Sequence, residues 1–143
     1  MTTYKPKTQV TSSVEAHPTD RLSVLIVDDA PDNAELLAEL VASYGHRVRI
    51  ADRGQTALDL LEKELADLVF LDLSLPDIEG YEVASSIRAR FGDRCQIAAM
   101  TGYSGNNERE AALHAGCDVF VVKPFQLPQV RDLLEGCRRA MKV

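Results

Sequence analysis

Five short apolar runs punctuate the chain: LSVLIV (22–27), HRVRI (46–50), ADLVFL (66–71), CQIAAM (95–100) and CDVFVV (117–122). Four of them are almost continuously apolar, as strands of a parallel sheet covered on both faces are, whereas HRVRI alternates and predicts an exposed edge strand. Between the runs the spacing changes to that of amphipathic helices. Leu36, Leu37, Leu40, Val41 and Tyr44 make one stripe, with Pro31 and two acids in its opening turn and Gly45 as its stop. Ala57, Leu58, Leu61 and Leu65 repeat the spacing, and so do Val83, Ala84, Ile87 and Phe91. A short fourth helix fits Asn107 to Ala115, ended by Gly116, and a fifth carries Leu127, Val130, Leu134, Cys137 and Met141 on its apolar side.

Strand followed by helix, five times over, specifies a parallel sheet joined by right-handed crossovers. Five units are too few to close an eight-stranded barrel, so the predicted fold is α/β, an open three-layer doubly wound five-stranded sheet. Residues 1–20 are rich in Thr, Ser, Lys and Pro without apolar periodicity, and they predict a flexible N-terminal tail. The domain is expected over residues 21–143.

A length of 143 residues allows one such core without disulfides or structural metals. With 16 Lys+Arg against 22 Asp+Glu the net charge is −6, which argues against a nucleic-acid or anionic-membrane surface and for proteins or small ligands as partners. No apolar run approaches the ~18 residues of a membrane span, and the N-terminus lacks the apolar core of a signal peptide. Cys95, Cys117 and Cys137 form no C-x-x-C pair and leave one thiol over, which suits a reducing cytoplasm; all three are read as small buried residues. His17, His46 and His114 are read as surface residues, and none is a candidate phosphodonor.

In open α/β sheets the working crevice lies beyond the carboxyl ends of the strands. Here those ends carry Asp28 and Asp29, Asp72, Thr101 and Lys123. An Asp after a strand is commonly a turn residue or helix cap. That reading does not explain three carboxylates, a hydroxyl and an ammonium converging from four strands. Two carboxylates ~4 Å apart repel by about 4 kcal/mol at an effective dielectric near 20, so the cluster calls for a cation or shifted pKa values. An all-oxygen set favours Mg²⁺, which keeps waters for a phosphate ligand. Phosphoryl chemistry follows, with Asp72, the single central acid, as nucleophile and Lys123 and Thr101 orienting the phosphoryl oxygens.

These fragments, VLIVDDA, VFLDLSLPDIEGYEV, AAMTGY and AGCDVFVVKPF, in this order and at these separations, resemble the receiver domain of two-component response regulators. The resemblance covers about Leu22 to Met141 and implies the flavodoxin-like strand order 2-1-3-4-5. It implies that Asp72 is the phosphoacceptor, that Asp29 binds Mg²⁺ directly with Asp28 acting mainly through water, and that the Ser74 backbone carbonyl completes the protein ligands. Lys123 would contact the phosphoryl group, Thr101 would swing toward it, and the Lys123–Pro124 bond would be cis. Pro76 and Gly80 match the turn after the phosphorylated strand, Gly80 being read as a conformational requirement. The implied partners are a histidine kinase or histidine phosphotransfer protein and a downstream effector protein reached through the helix 4, strand 5 and helix 5 face.

The departures are Leu75, where relatives often have Met, and Gly102, where they often have Ala; Gly102 would loosen the switch loop while Tyr103 shields the acyl phosphate. Phe120 stands where many receivers carry a Tyr that rotates inward, and it lacks the hydroxyl; its other reading is a core or edge aromatic. No second domain follows the fifth helix in this sequence, so a stand-alone receiver or the receiver of a hybrid kinase is expected. A flavodoxin-like flavin carrier would share the sheet, but its first loop would here be DDAPDN, which repels a phosphate. A Mg²⁺-dependent phosphohydrolase with an aspartate nucleophile would need a second acid two residues after Asp72, where Ser74 stands, and a cap domain.

Overall fold

Every apolar run becomes a strand and every stripe a helix in the computed structural model, which describes residues 2–3, 21–102, 106–123 and 126–141. In chain order the elements are β1 (Ser23–Val27), α1 (Pro31–Ser43), β2 (Arg47–Ala51), α2 (Gly54–Lys63), β3 (Leu68–Asp72), α3 (Gly80–Phe91), β4 (Gln96–Thr101), α4 (Asn106–Ala115), β5 (Val119–Val122) and α5 (Leu127–Met141). The five strands are parallel and lie in the order β2-β1-β3-β4-β5, the expected flavodoxin-like arrangement. Val27 pairs with Leu71, Leu71 with Ala99 and Thr101 with Val122, so the strands finish nearly level along one edge of the sheet.

Residues two apart on a strand share a face, and that alternation divides the core in two. Leu25, Val27, Val69, Leu71, Ile97 and Ala99 meet Ala57, Leu58 and Leu61 of α2 and Val83 and Ile87 of α3. Val24, Ile26, Leu68, Phe70, Ala98 and Met100 meet Leu37 and Val41 of α1 and Val130 and Leu134 of α5. The central strand β3 is buried throughout, so truncating Phe70 or Leu71 to Ala costs about 2–5 kcal/mol. Far from the level edge, the Arg88 guanidinium of α3 donates to the carbonyls of Gly116 at 2.7 Å and Cys95 at 2.6 Å, holding the approaches to β4 and β5 together. Gly45 ends α1 with φ of 91°, a conformation that costs a Cβ-bearing residue dearly.

Several positions depart from the pattern for reasons that the chain's own text does not carry. Leu36 is 69% exposed and Leu127 61% exposed, and Tyr44 is also exposed. The buried stripe of α1 runs Ala34, Leu37, Ala38, Val41, and Leu36 lies about 100° round the helix from Leu37. His46 is buried rather than on the surface, because its Nδ1 accepts the N–H of Leu22 at 3.1 Å. Arg49, on the strand expected to alternate, is buried as well; its guanidinium donates to the carbonyls of Leu60 and Glu64 and caps the end of α2. Outside that strand Thr2–Thr3, from the stretch expected to lack regular structure, pairs antiparallel with Arg49 and Ile50. The three cysteines are free and buried, as expected, and His114 is exposed. The Met141 side chain, His17, Tyr103 and Pro124 lie outside the described residues.

Candidate functional site

The level strand ends bring the predicted residues to one place. Asp28 and Asp29 follow β1, Asp72 closes β3, Thr101 closes β4 and Lys123 follows β5. One carboxylate oxygen from each of Asp28, Asp29 and Asp72 lies within 4.8 Å of the others. Asp28 and Asp72 are 3% and 6% exposed, Thr101 is buried, and Asp29 faces solvent.

Each buried carboxylate is held from two sides. Asp28 Oδ1 accepts the Ala30 N–H at 2.9 Å, and Asp72 Oδ1 accepts the Ser74 N–H at 2.9 Å. Their Oδ2 atoms both receive Lys123 Nζ, at 3.0 Å from Asp28 and 3.3 Å from Asp72. Burial lifts the Asp72 carboxyl above its ordinary range; the Ser74 N–H and the Lys123 charge pull it back without cancelling that lift, and the Asp28 charge adds to it. For Lys123 burial favours the neutral amine, but the hydrogen bond and charge of Asp28, then those of Asp72, outweigh it and raise its pKa. The ammonium is therefore firmly charged.

One ammonium among three carboxylates leaves the cluster short of positive charge. Clustered hard oxygen donors, with Asp29 open to water, fit a small divalent cation such as Mg²⁺. The same carboxylates repel the phosphate of a flavin, so the carrier reading finds no support here.

The surrounding backbone explains why the turn after Asp72 reads as it does. The Leu73 N–H donates to Met100 O at 3.0 Å, and the Lys123 N–H donates to Thr101 O at 2.7 Å, so neighbouring strand ends are tied together. Gly80 is required by closeness and has no unusual φ: a Cβ there would stand 2.5 Å from Leu73 Cα and 2.7 Å from the Asp72 carbonyl. Among the described residues nothing lies within 4 Å of where a Cβ on Gly102 would be, and the residue is exposed. Ser74, on the loop between Asp72 and Gly80, is exposed. Phe120 is half-buried and packs against the core on the α2–α3 side.

Two features were not readable in advance. A cavity of about 600 Å³ opens beside Lys123, walled by Leu36, Leu37, Leu40 and Leu127. Asp77, in the turn after β3, reaches across to the start of α2, where its carboxylate accepts the N–H groups of Gly54 and Gln55. The sequence marks Asp77 only as a turn residue after proline, with nothing to say which helix it meets.

Comparison with known proteins agrees with this geometry. Residues 24–135 match the response regulator receiver domain family, and the chain belongs to it. An uncharacterized 14.6 kDa protein of Leptolyngbya boryana is 33% identical over 119 residues, which are 82% of this chain and 91% of that one. The sensor histidine kinase GacS of Pseudomonas protegens is 36% identical over 114 residues, and there the chain spans 12% of the relative's length. Among solved structures, a two-component response regulator from Clostridium difficile superposes with a TM-score of 0.79 at 25% identity, covering 86% of this chain and 100% of that one. The receiver domain of a sensor histidine kinase from Pseudomonas aeruginosa, solved with a magnesium ion coordinated in its active-site cleft, gives 0.76 at 29% identity over 83% and 98%. The chain is thus a receiver domain of the two-component class, similar both to free regulators and to the receivers of hybrid sensor kinases, and the phosphohydrolase alternative is not favoured. Among the described residues no helix is long and apolar enough to cross a membrane.

Proposed function

We propose that Asp72 is the phosphoacceptor of this receiver and takes its phosphoryl group from the phosphohistidine of a histidine kinase or a histidine phosphotransfer protein. The observation that carries the reading is the convergence of Asp28, Asp29 and Asp72 within 4.8 Å, with Lys123 bridging Asp28 and Asp72. An Asp72 oxygen attacks phosphorus, the donor's P–N bond breaks, and its electron pair stays on the imidazole. Asp28, Asp29, Asp72 and the Ser74 carbonyl would hold Mg²⁺, which when bound would supply neutralisation of the phosphoryl charge. Lys123 exchanges part of its contact with the carboxylates for the phosphoryl oxygens.

The acyl phosphate carries roughly −1.5 to −2 charge where the carboxylate carried −1, with three acceptor oxygens to satisfy, so a further donor is needed, and the buried Thr101 hydroxyl supplies it. Gly102, exposed and without a side chain, lets the loop follow. Phe120 responds by repacking, without a hydroxyl to anchor it. The altered face is that of α4, β5 and α5, which is where a downstream effector protein reads the state. Water later removes the phosphoryl group, so the domain catalyses only its own phosphorylation and dephosphorylation. The apolar cavity beside Lys123 offers the donor protein a foothold next to Asp72. We place this work in the cytoplasm, where three free buried thiols stay reduced.

Intact-mass analysis after incubation with a small phosphoramidate and Mg²⁺ tests the reading. One phosphoryl group, labile to base and hydroxylamine, is expected on the wild type and absent from Asp72→Asn and from wild type with a chelator. Equal uptake by Asp72→Asn overturns the assignment.

A further inference from the structure

The loop between Asp72 and α3 is largely exposed, yet it is held at three places. At its start the Ser74 N–H donates to Asp72 Oδ1, and at its end the Gly80 N–H donates to Leu73 O at 3.2 Å. Between them Asp77 leaves its own loop: Oδ1 accepts the Gly54 N–H at 2.8 Å and Oδ2 accepts the Gln55 N–H at 3.0 Å. Those amides open α2, and Arg53, the residue before the helix, supplies no side-chain cap. Asp77 caps α2 from another loop. Desolvation works to raise its pKa, but the N–H groups of Gln55, Gly54 and Ile78 outweigh it and hold the carboxyl below its ordinary value. The joint is also tight, since a Cβ on Gly54 would stand 2.7 Å from Val83 Cγ2 and 3.3 Å from Ile78 Cβ.

We propose that Asp77 is a positioning residue for the metal and phosphoryl site. By fastening the loop to α2 it fixes the backbone of Ser74, whose carbonyl serves as a Mg²⁺ ligand in the function proposed above, on which this inference rests. α2 and the ion are then coupled, and the coupling is reciprocal: filling the site tightens the start of α2, and releasing α2 weakens the ion.

The test uses the full chain, with Mg²⁺ affinity from calorimetric titration and amide exchange at Gly54 and Gln55 from NMR. Asp77→Ala weakens Mg²⁺ about tenfold, in line with the loss of outer partners at other metal sites. Asp77→Asn, which keeps one acceptor oxygen, weakens it less. Glu79→Gln, which removes the same charge from the same loop without touching the cap, stays within about twofold, since a single exposed charge is worth little. Mg²⁺ slows exchange of the Gly54 and Gln55 amides in wild type and leaves them unaffected in Asp77→Ala. Unchanged affinity in Asp77→Ala, or an equal loss in Glu79→Gln, overturns the proposal. Should Asp77→Ala fail to fold, Asp77→Asn and the Mg²⁺ effect on wild-type exchange decide it. Mg²⁺ binding that survives in the double variant Asp28→Asn with Asp29→Asn overturns the functional reading, and this inference falls with it.

Discussion

Lys123 Nζ stands 3.3 Å from Asp72 Oδ2, across a sequence separation of 51 residues, and shares itself with Asp28 at 3.0 Å. Its removal leaves two buried carboxylates facing one another. Breaking a fully buried pair costs about 3–5 kcal/mol, but the Lys123 side chain is 21% exposed and the site meets water at Asp29, so about 1–3 kcal/mol is expected for Lys123→Met without metal. Urea unfolding in the presence of a chelator measures it.

In the proposed function Mg²⁺ binds the folded site and finds no such cluster in the unfolded chain, so it is expected to stabilise by mass action, by about 2.7 kcal/mol at a hundredfold excess over its dissociation constant. The thermal midpoint of the wild type therefore climbs with Mg²⁺, and that of Lys123→Met climbs from a lower start. The double variant Asp28→Asn with Asp29→Asn shows no such rise in scanning calorimetry.

His46 gives the fold a pH dependence separate from the site. Burial lowers its pKa from 6.5, the Arg138 and Arg21 charges push the same way, and Glu135 and Asp67 oppose them. The unfolded chain thus takes up the proton first. The stability that neutral His46 contributes is whole above pH 6.5 and is lost as the pH falls through the lower folded value. Protonation also costs Nδ1 its lone pair and leaves the Leu22 N–H without an acceptor. Unfolding free energies measured at pH 7.5 and pH 5 are expected to differ more for wild type than for His46→Asn, whose oxygen accepts at either pH.

Gly80 and Gly102 flank the same chemistry and respond oppositely. Gly80→Ala drives a Cβ into the Leu73 Cα and the Asp72 carbonyl, so α3 or β3 must shift, at about 1–3 kcal/mol. Gly102→Ala meets no described atom within 4 Å and changes stability by less than about 0.5 kcal/mol. Denaturant midpoints of the two variants, compared at equal slope, check the pair.

The sequence discloses what depends on local pattern. Continuous apolar runs followed by stripes specify a parallel sheet, and a parallel sheet brings its strand ends together along one edge; the convergence of Asp28, Asp72, Thr101 and Lys123 is legible for that reason. What depended on a remote partner was not. His46 reads as polar until the Leu22 amide needs an acceptor, Arg49 as solvent-facing until the end of α2 needs a cap, and Gly80 as a turn glycine until α3 is laid against Leu73. Leu36 belongs to an apolar stripe by spacing, and only the tilt of α1 decides that it faces outward.

The exposed Leu36 and Leu127 stand on outer surfaces of α1 and α5, whereas Asp72 and Lys123 are anchored at strand ends by the sheet. In the proposed function the donor's foothold is thus built on helix surfaces and the reacting groups on strand ends, side by side at one cavity. Substitutions at Leu36 or Leu127 redraw that foothold while the sheet keeps the reacting groups where they are.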